Sequence, residues 1–146
     1  MKKVLLMAIM FASSLPVFAG EKVIDLYKSE SCGCCTQWGQ VMEKQGYQVN
    51  THVLNESALT ALKDKYTVPT DLRICHMATS GNLIIEGHVP AEAVSKALIP
   101  GSGIYGLATP GMPAGSPGME MGDKKDPYNV IAFEKNGSQR IYQRIE

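Results

Sequence analysis

Three cysteines crowd into four residues, Cys32-Gly33-Cys34-Cys35, directly after a short apolar run from Val23 to Tyr27. Core packing does not call for thiols at this density. Neighbours Cys34 and Cys35 can hardly bond to each other, and any disulfide inside the cluster leaves a thiol that must find the fourth cysteine, Cys75, or stay free. The preceding Val23-Ile24-Asp25-Leu26-Tyr27 is β-branched and apolar, the pattern of a buried strand. From Cys35 onward Trp38, Val41 and Met42 recur at helical spacing, and Gly46 stands where a left-handed cap closes a helix. The cluster therefore belongs at a helix N-terminus, whose partial positive charge favours thiolate over thiol.

The rest of the chain predicts a compact order of elements. Tyr47 to Leu54 reads as a second strand, and Asn55-Glu56-Ser57 caps a helix with Leu59, Leu62 and Tyr66 on one face. Ile74 to Thr79 and Leu83 to His88 flank Ser80-Gly81-Asn82 as a β-hairpin, and Val89-Pro90 opens a helix through Leu98 that Pro100-Gly101 stops. A βαβ unit, a connecting helix, a hairpin and a closing helix follow one another as in the thioredoxin fold, which carries a Cys-x-x-Cys pair where Cys32 and Cys35 stand. Val68-Pro69 is about four positions too early for that fold's cis-proline, judged by strand rise. Counting back from the hairpin turn puts Arg73, Ile74 and Cys75 at the strand start. Gly101 to Asp126 is rich in Gly and Pro without an apolar period and reads as a loop carrying Met112, Met119 and Met121. Tyr128 to Phe133 and Arg140 to Ile145 flank a second hairpin turn at Asn136-Gly137.

Lys2-Lys3, a short apolar run and Val17-Phe18-Ala19 form a secretory signal over residues 1–19, too short for a stable membrane span. Removing those 19 residues from the 146 leaves 127, one ordinary domain. We divide it into a thioredoxin-like domain over residues 20–100 and a C-terminal metal-binding extension over 101–146 packed on the same domain. Without Lys2 and Lys3 the 14 basic residues become 12 against 14 acidic ones, which gives no footprint for nucleic acid. Export places the chain in an oxidising compartment, where four cysteines are read first as disulfides.

Two chemistries compete at the cluster. Disulfide exchange needs Cys32 to attack and Cys35 to resolve, and leaves Cys34 without a role. Metal binding uses all three thiols, because soft thiolate sulfur selects Cu(I) and one thiolate can bridge two ions. Zinc fits less well, since three ligands in four residues depart from its paired-ligand spacing and neutral thioethers suit copper better. Cys75 joins the set with His76 and His88. Strand alternation puts Cys75 and His88 on one face and His76 on the other, so all three meet only if the strand start is irregular. His52 lies away from these motifs, Trp38 reads as core, and Glu86 and Glu120 read as neighbours of the ligands or as solvated groups. Two structural disulfides in an interaction module are the non-catalytic alternative.

Several motifs in order, Cys32-Gly33-Cys34-Cys35 with Trp38, Cys75-His76, Ile85-Glu86-Gly87-His88-Val89-Pro90, Pro110-Gly111-Met112-Pro113 and Gly115-Ser116-Pro117-Gly118-Met119-Glu120, give a chain that resembles the CopG-type periplasmic copper-resistance proteins. The likeness runs through essentially the whole mature chain. It implies an α/β thioredoxin-like domain with a Gly/Pro/Met-rich loop and hairpin extension. It also implies copper as cofactor, held in the periplasm through the cysteine cluster; with the donor chemistry above, the expected ligand set is Cys32, Cys34, Cys35, Cys75, His76, His88, Met112, Met119 and Met121. The implied work is copper tolerance by redox chemistry, with Cys32 and Cys35 catalytic, and the implied partners are copper ions and other periplasmic copper-resistance proteins. Turnover, passive storage and metal-independent disulfide exchange stay open. Met77 departs from the pattern, where such proteins commonly carry a small hydroxyl residue, and either adds a ligand or fills space.

Overall fold

The computed structural model describes residues 22–146; the signal segment expected over residues 1–19 lies outside them. Eleven elements follow in order: β1 (Val23–Lys28), α1 (Gly33–Lys44), β2 (Gln48–Val53), α2 (Glu56–Lys65), a 3-10 turn (Thr70–Leu72), β3 (His76–Ser80), β4 (Leu83–Gly87), α3 (Ala91–Ala97), β5 (Gly106–Thr109), β6 (Tyr128–Phe133) and β7 (Gln139–Ile145). The chain is α/β, and through α3 it keeps the element order expected from the sequence. Among the described residues no helix is long and apolar enough to cross a membrane.

All seven strands form one sheet in the order β2-β1-β3-β4-β5-β6-β7. β1 runs parallel to β2 and antiparallel to β3, which pairs antiparallel with β4. Alternation sorts the side chains onto two faces. Ile24 and Leu26 of β1, Ile85 of β4 and Leu107 of β5 pack with Trp38 and Met42 of α1 and with Val89, Ala93 and Val94 around α3. Met77, Ile84, Ala108 and Phe133 pack on the other face with Val68 and Leu72, joined by Leu62 of α2. Each face is covered by helix, so the sheet sits in the middle of the molecule.

The helices form where local signals put them. Asn55 Oδ1 accepts the Ala58 N–H at 2.8 Å, capping α2 as its sequence suggests. α1 starts at Gly33 with Cys32 as its N-cap residue, and its end is followed by Gly46 at φ +87°. The cysteine cluster thus occupies the helix N-terminus at the end of β1.

The segment from Gly101 to Asp126 is not all loop. Gly106–Thr109 is a fully buried strand, parallel to β4 and antiparallel to β6, and it joins the C-terminal hairpin to the central sheet. Four residues flanked by Gly and Pro carry no readable period; pairing on both sides makes the strand. The Asn136-Gly137 turn is also longer than a two-residue loop. Gly137 N–H donates to Glu134 O at 2.9 Å and Glu134 N–H to Ser138 O at 3.0 Å, with Gly137 in the left-handed region at φ +84°.

Candidate metal centre

β1 delivers the chain to Ser29-Glu30-Ser31, and α1 turns Cys32, Cys34 and Cys35 toward the end of β3. Cys32 and Cys35 are joined as a disulfide, leaving Cys34 and Cys75 as free thiols. Cys34 Sγ lies 3.6 Å from Cys32 Sγ. The sulfurs of Cys32, Cys34, Cys35 and Cys75 all lie within 4.8 Å of one another. Cys75 also belongs to a second group of the same compactness with His76 and His88. One sulfur therefore stands between a sulfur-rich set and a nitrogen-rich set.

His76 and His88 meet Cys75 together, contrary to simple alternation. Cys75 Sγ is 3.4 Å from His76 Nδ1 and 3.5 Å from His88 Nε2, and the two imidazoles meet edge-to-face with centroids 5.0 Å apart. The irregularity lies at the end of β4. Gly87 adopts φ +71° and accepts the Val89 N–H at 2.8 Å, so the strand ends in a tight turn that swings His88 beside His76. A Cβ on Gly87 would run into the Ile74 side chain, so the turn needs glycine twice over. At the other end of the pairing, Cys75 precedes β3, which begins at His76. Arg73 is turned away, donating from Nε to Val68 O at 3.0 Å and pairing with Asp64 at 2.7 Å.

The late Gly/Pro segment closes over these groups. His88 Nδ1–H donates to Pro117 O at 2.8 Å, which leaves the Nε2 lone pair facing the Cys75 sulfur. Gly118, at φ +83°, lies so close to α1 that a Cβ there would sit 2.7 Å from Trp38 N and 2.9 Å from Cys34 O. Ser116 is buried, its hydroxyl donating to Pro113 O at 2.7 Å, and Gly115 N–H donates to Met119 O at 2.9 Å. Met119 is half-buried next to Gly118, while Met112 and Met121 are 39% and 63% exposed.

Burial sets the protonation of the bare site. Loss of solvent, then proximity to Cys34, pushes the Cys75 thiol up to about 12. Burial, the neighbouring His88 and Lys63 hold His76 well below the usual imidazole range, and burial lowers His88. His76 Nε2 is buried with no hydrogen-bond partner. Neutral imidazoles, free thiols and an orphaned ring nitrogen form a donor set whose polar demands the protein alone leaves partly unmet, and its softness suits Cu(I).

Two buried lysines were not anticipated. Lys63 of α2, 4% exposed, donates to Glu86 Oε1 and to Ile74 O, both at 2.6 Å, while Glu86 Oε1 also accepts the Ile74 N–H at 2.6 Å. The pair therefore grips both polar groups of the residue before Cys75. Glu86 is buried, not solvated; burial pushes its carboxyl up to about 7 against the opposing pull of Lys63. Lys28 ends β1 opposite His76, buried, with Nζ donating to Ser29 O at 2.9 Å. Both lysines fall on apolar stripes, Leu59–Lys63 and Ile24–Leu26–Lys28, a readable signal. Met77 packs in the opposite core with Val68, Leu72 and Phe133 and fills space. Trp38 is core, its Nε1–H donating to Val89 O at 3.0 Å. His52 stays outside, bonded to Asp25 at 2.9 Å, and Glu120 is exposed.

Fold and site together define an α/β protein with a cysteine–histidine cluster able to hold a metal ion. A family model described as a protein of unknown function, DUF411, matches residues 72–119, and no curated protein matches. Two solved structures of copper resistance protein CopG, forms 1 and 2, are each 36% identical to this chain. They superpose with TM-scores of 0.79 and 0.78, covering 86% and 85% of this chain and 98% of theirs. The chain belongs to the CopG family.

Proposed function

We propose that this chain is a periplasmic copper-resistance protein that binds copper at Cys32, Cys34, Cys35 and Cys75, with His76, His88 and the methionine segment completing the site, and interconverts Cu(I) and Cu(II). The observation that carries this reading is Cys75, whose sulfur is shared by two compact donor groups. A shared thiolate is the element that lets one chain hold more than one copper ion. Thiolate favours Cu(I), imidazole accepts both oxidation states, and a site mixing them supports passage between the two. Of these three methionines Met119 is the least exposed, and its N–H and carbonyl are both bonded within the loop, to Ser116 and Gly115.

Anaerobic titration of the fully reduced chain with Cu(I) tests the reading. The expected stoichiometry exceeds one copper per chain, and Cys75→Ser removes at least one ion. A native stoichiometry of one or less refutes the shared-sulfur site. Retention of a single oxidation state through repeated redox challenge reduces the role to storage.

A metal-independent thiol–disulfide oxidoreductase is the second reading, favoured by the Cys32–Cys35 disulfide. Under it, Cys34→Ser leaves disulfide exchange intact; under the copper reading the same change lowers copper loading.

A further inference from the structure

Oxidation divides the donor set. With Cys32 and Cys35 joined, neither offers a thiolate, and what remains is Cys34, Cys75, His76 and His88. The pair that closes holds two electrons in its reduced form. The part that stays open is soft enough to keep Cu(I), and two of its members are placed by bonds other than the disulfide: Cys75 by those of Lys63 and Glu86 to Ile74, and His88 by that to Pro117.

We infer that the Cys32–Cys35 pair is the electron store of the site: the reduced dithiol gives one electron to each of two Cu(II) ions and closes into the disulfide, while Cys34, Cys75, His76 and His88 keep the Cu(I) produced. This rests on the copper redox reading above. The step balances as two Cu(II) and two thiols giving two Cu(I), one S–S bond and two protons. The S–H bonds of Cys32 and Cys35 break, the two sulfurs are oxidised, and the protons leave to solvent. Cys34, whose sulfur is 3.6 Å from that of Cys32, is the competing nucleophile, and engagement as a ligand removes it from competition.

The store must be refilled. Cys32 is half-buried and Cys35 fully buried, so an external dithiol meets the Cys32 sulfur first. Its thiolate attacks Cys32, the S–S bond breaks with Cys35 leaving as thiolate, and the second thiol of the reductant then releases Cys32. The reaction class that must precede each further cycle is thiol–disulfide exchange.

The test uses the chain without its first 19 residues, reduced, freed of metal and reductant under argon, and titrated with Cu(II) sulfate. A Cu(I)-selective chelator counts Cu(I) after denaturation, and differential alkylation with mass spectrometry locates disulfides. Two Cu(I) are expected for each Cys32–Cys35 disulfide, with Cys34 and Cys75 both alkylated. Cys32→Ser and Cys35→Ser are expected to lose this yield. Cys34→Ser, which removes one of the groups that keep the product, is expected to retain less Cu(I) after desalting than the native chain. Cu(I) formed without a disulfide, a disulfide formed through Cys75 in place of the pair, or bound copper that stays Cu(II) overturns the inference. Failure to bind copper in either state refutes the copper reading itself, a distinct result.

Discussion

Lys63→Met removes the ammonium that serves both Glu86 and Ile74, and its cost is expected to depend on pH in a way that identifies the pair. The Ile74 carbonyl loses its 2.6 Å donor, and a buried polar group stripped of a partner costs ~1–3 kcal/mol at any pH. The carboxyl supplies the second part. Glu86 titrates near 7 in the folded protein against an ordinary 4.5, so the folded state holds a proton that the unfolded chain has released. Stability from this group is present below 4.5 and is lost as pH rises to about 7, after which its contribution in the native protein is flat. Without Lys63 the carboxyl moves higher and the loss continues at ~1.4 kcal/mol per pH unit. Above about pH 7 the gap between variant and native therefore widens by up to ~1.4 kcal/mol per pH unit until the variant's carboxyl ionises. Urea unfolding of metal-free protein, with the Cys32–Cys35 disulfide intact in both forms, measures it. Adding Glu86→Gln to Lys63→Met should abolish the widening, since an amide cannot ionise while its oxygen still accepts from Ile74. A gap that stays constant with pH, or a variant within ~1 kcal/mol of native at pH 7, refutes the coupled-pair account.

In metal-free protein the lowered His76 and His88 oppose Glu86: each binds a proton more readily unfolded, so their contribution is lost as pH falls below 6.5, by up to ~1.4 kcal/mol per unit each. Glu86→Gln removes the opposing group and should steepen acid unfolding below pH 6.5, a change visible in thermal melts across pH. Because the Cys75 thiol is held at about 12, metal uptake at neutral pH must displace its proton, and titration in weak buffer should show that release fall in Cys75→Ser. Gly118→Ala places a methyl against Trp38 N and Cys34 O at φ +83°; the left-handed backbone alone costs ~1–2 kcal/mol. It should lower both the urea midpoint and copper retention, whereas Gly33→Ala, with open space at its Cβ, should spare the loop's seating on α1.

What was legible in the sequence was local. β1, α1 and α2 announce themselves through short-range period and caps, and Cys32 lands at the helix start because that position follows from Val23–Tyr27 and Trp38, Val41 and Met42 alone. β5 was not legible, because Gly106-Leu107-Ala108-Thr109 becomes a strand only between β4 and β6. The side on which His88 stands was hidden for a related reason: strict alternation assumes the strand continues, and Gly87 ends it. A glycine immediately before a candidate ligand was the available clue. Lys63 and Lys28 are hard to read because residue type points a lysine outward, while their place in the apolar period points inward.

The late Gly/Pro segment matters more for what its backbone does than for the number of sulfurs it carries. Pro117 O takes the Nδ1 proton of His88, which decides that Nε2 faces Cys75; Gly118 seats the same turn on the carbonyl of Cys34. One turn therefore touches the nitrogen-rich and the sulfur-rich sides of the centre at once. From the opposite face of the sheet, Lys63 and Glu86 fix Ile74 and hence the sulfur the two sides share. Cys75 is held from one side and approached from the other, so its position does not rest on a metal being present. A centre held in this way can change its sulfur count by closing Cys32–Cys35 without losing the nitrogen side. That separation between a fixed half and an oxidisable half is what the proposed copper redox step requires.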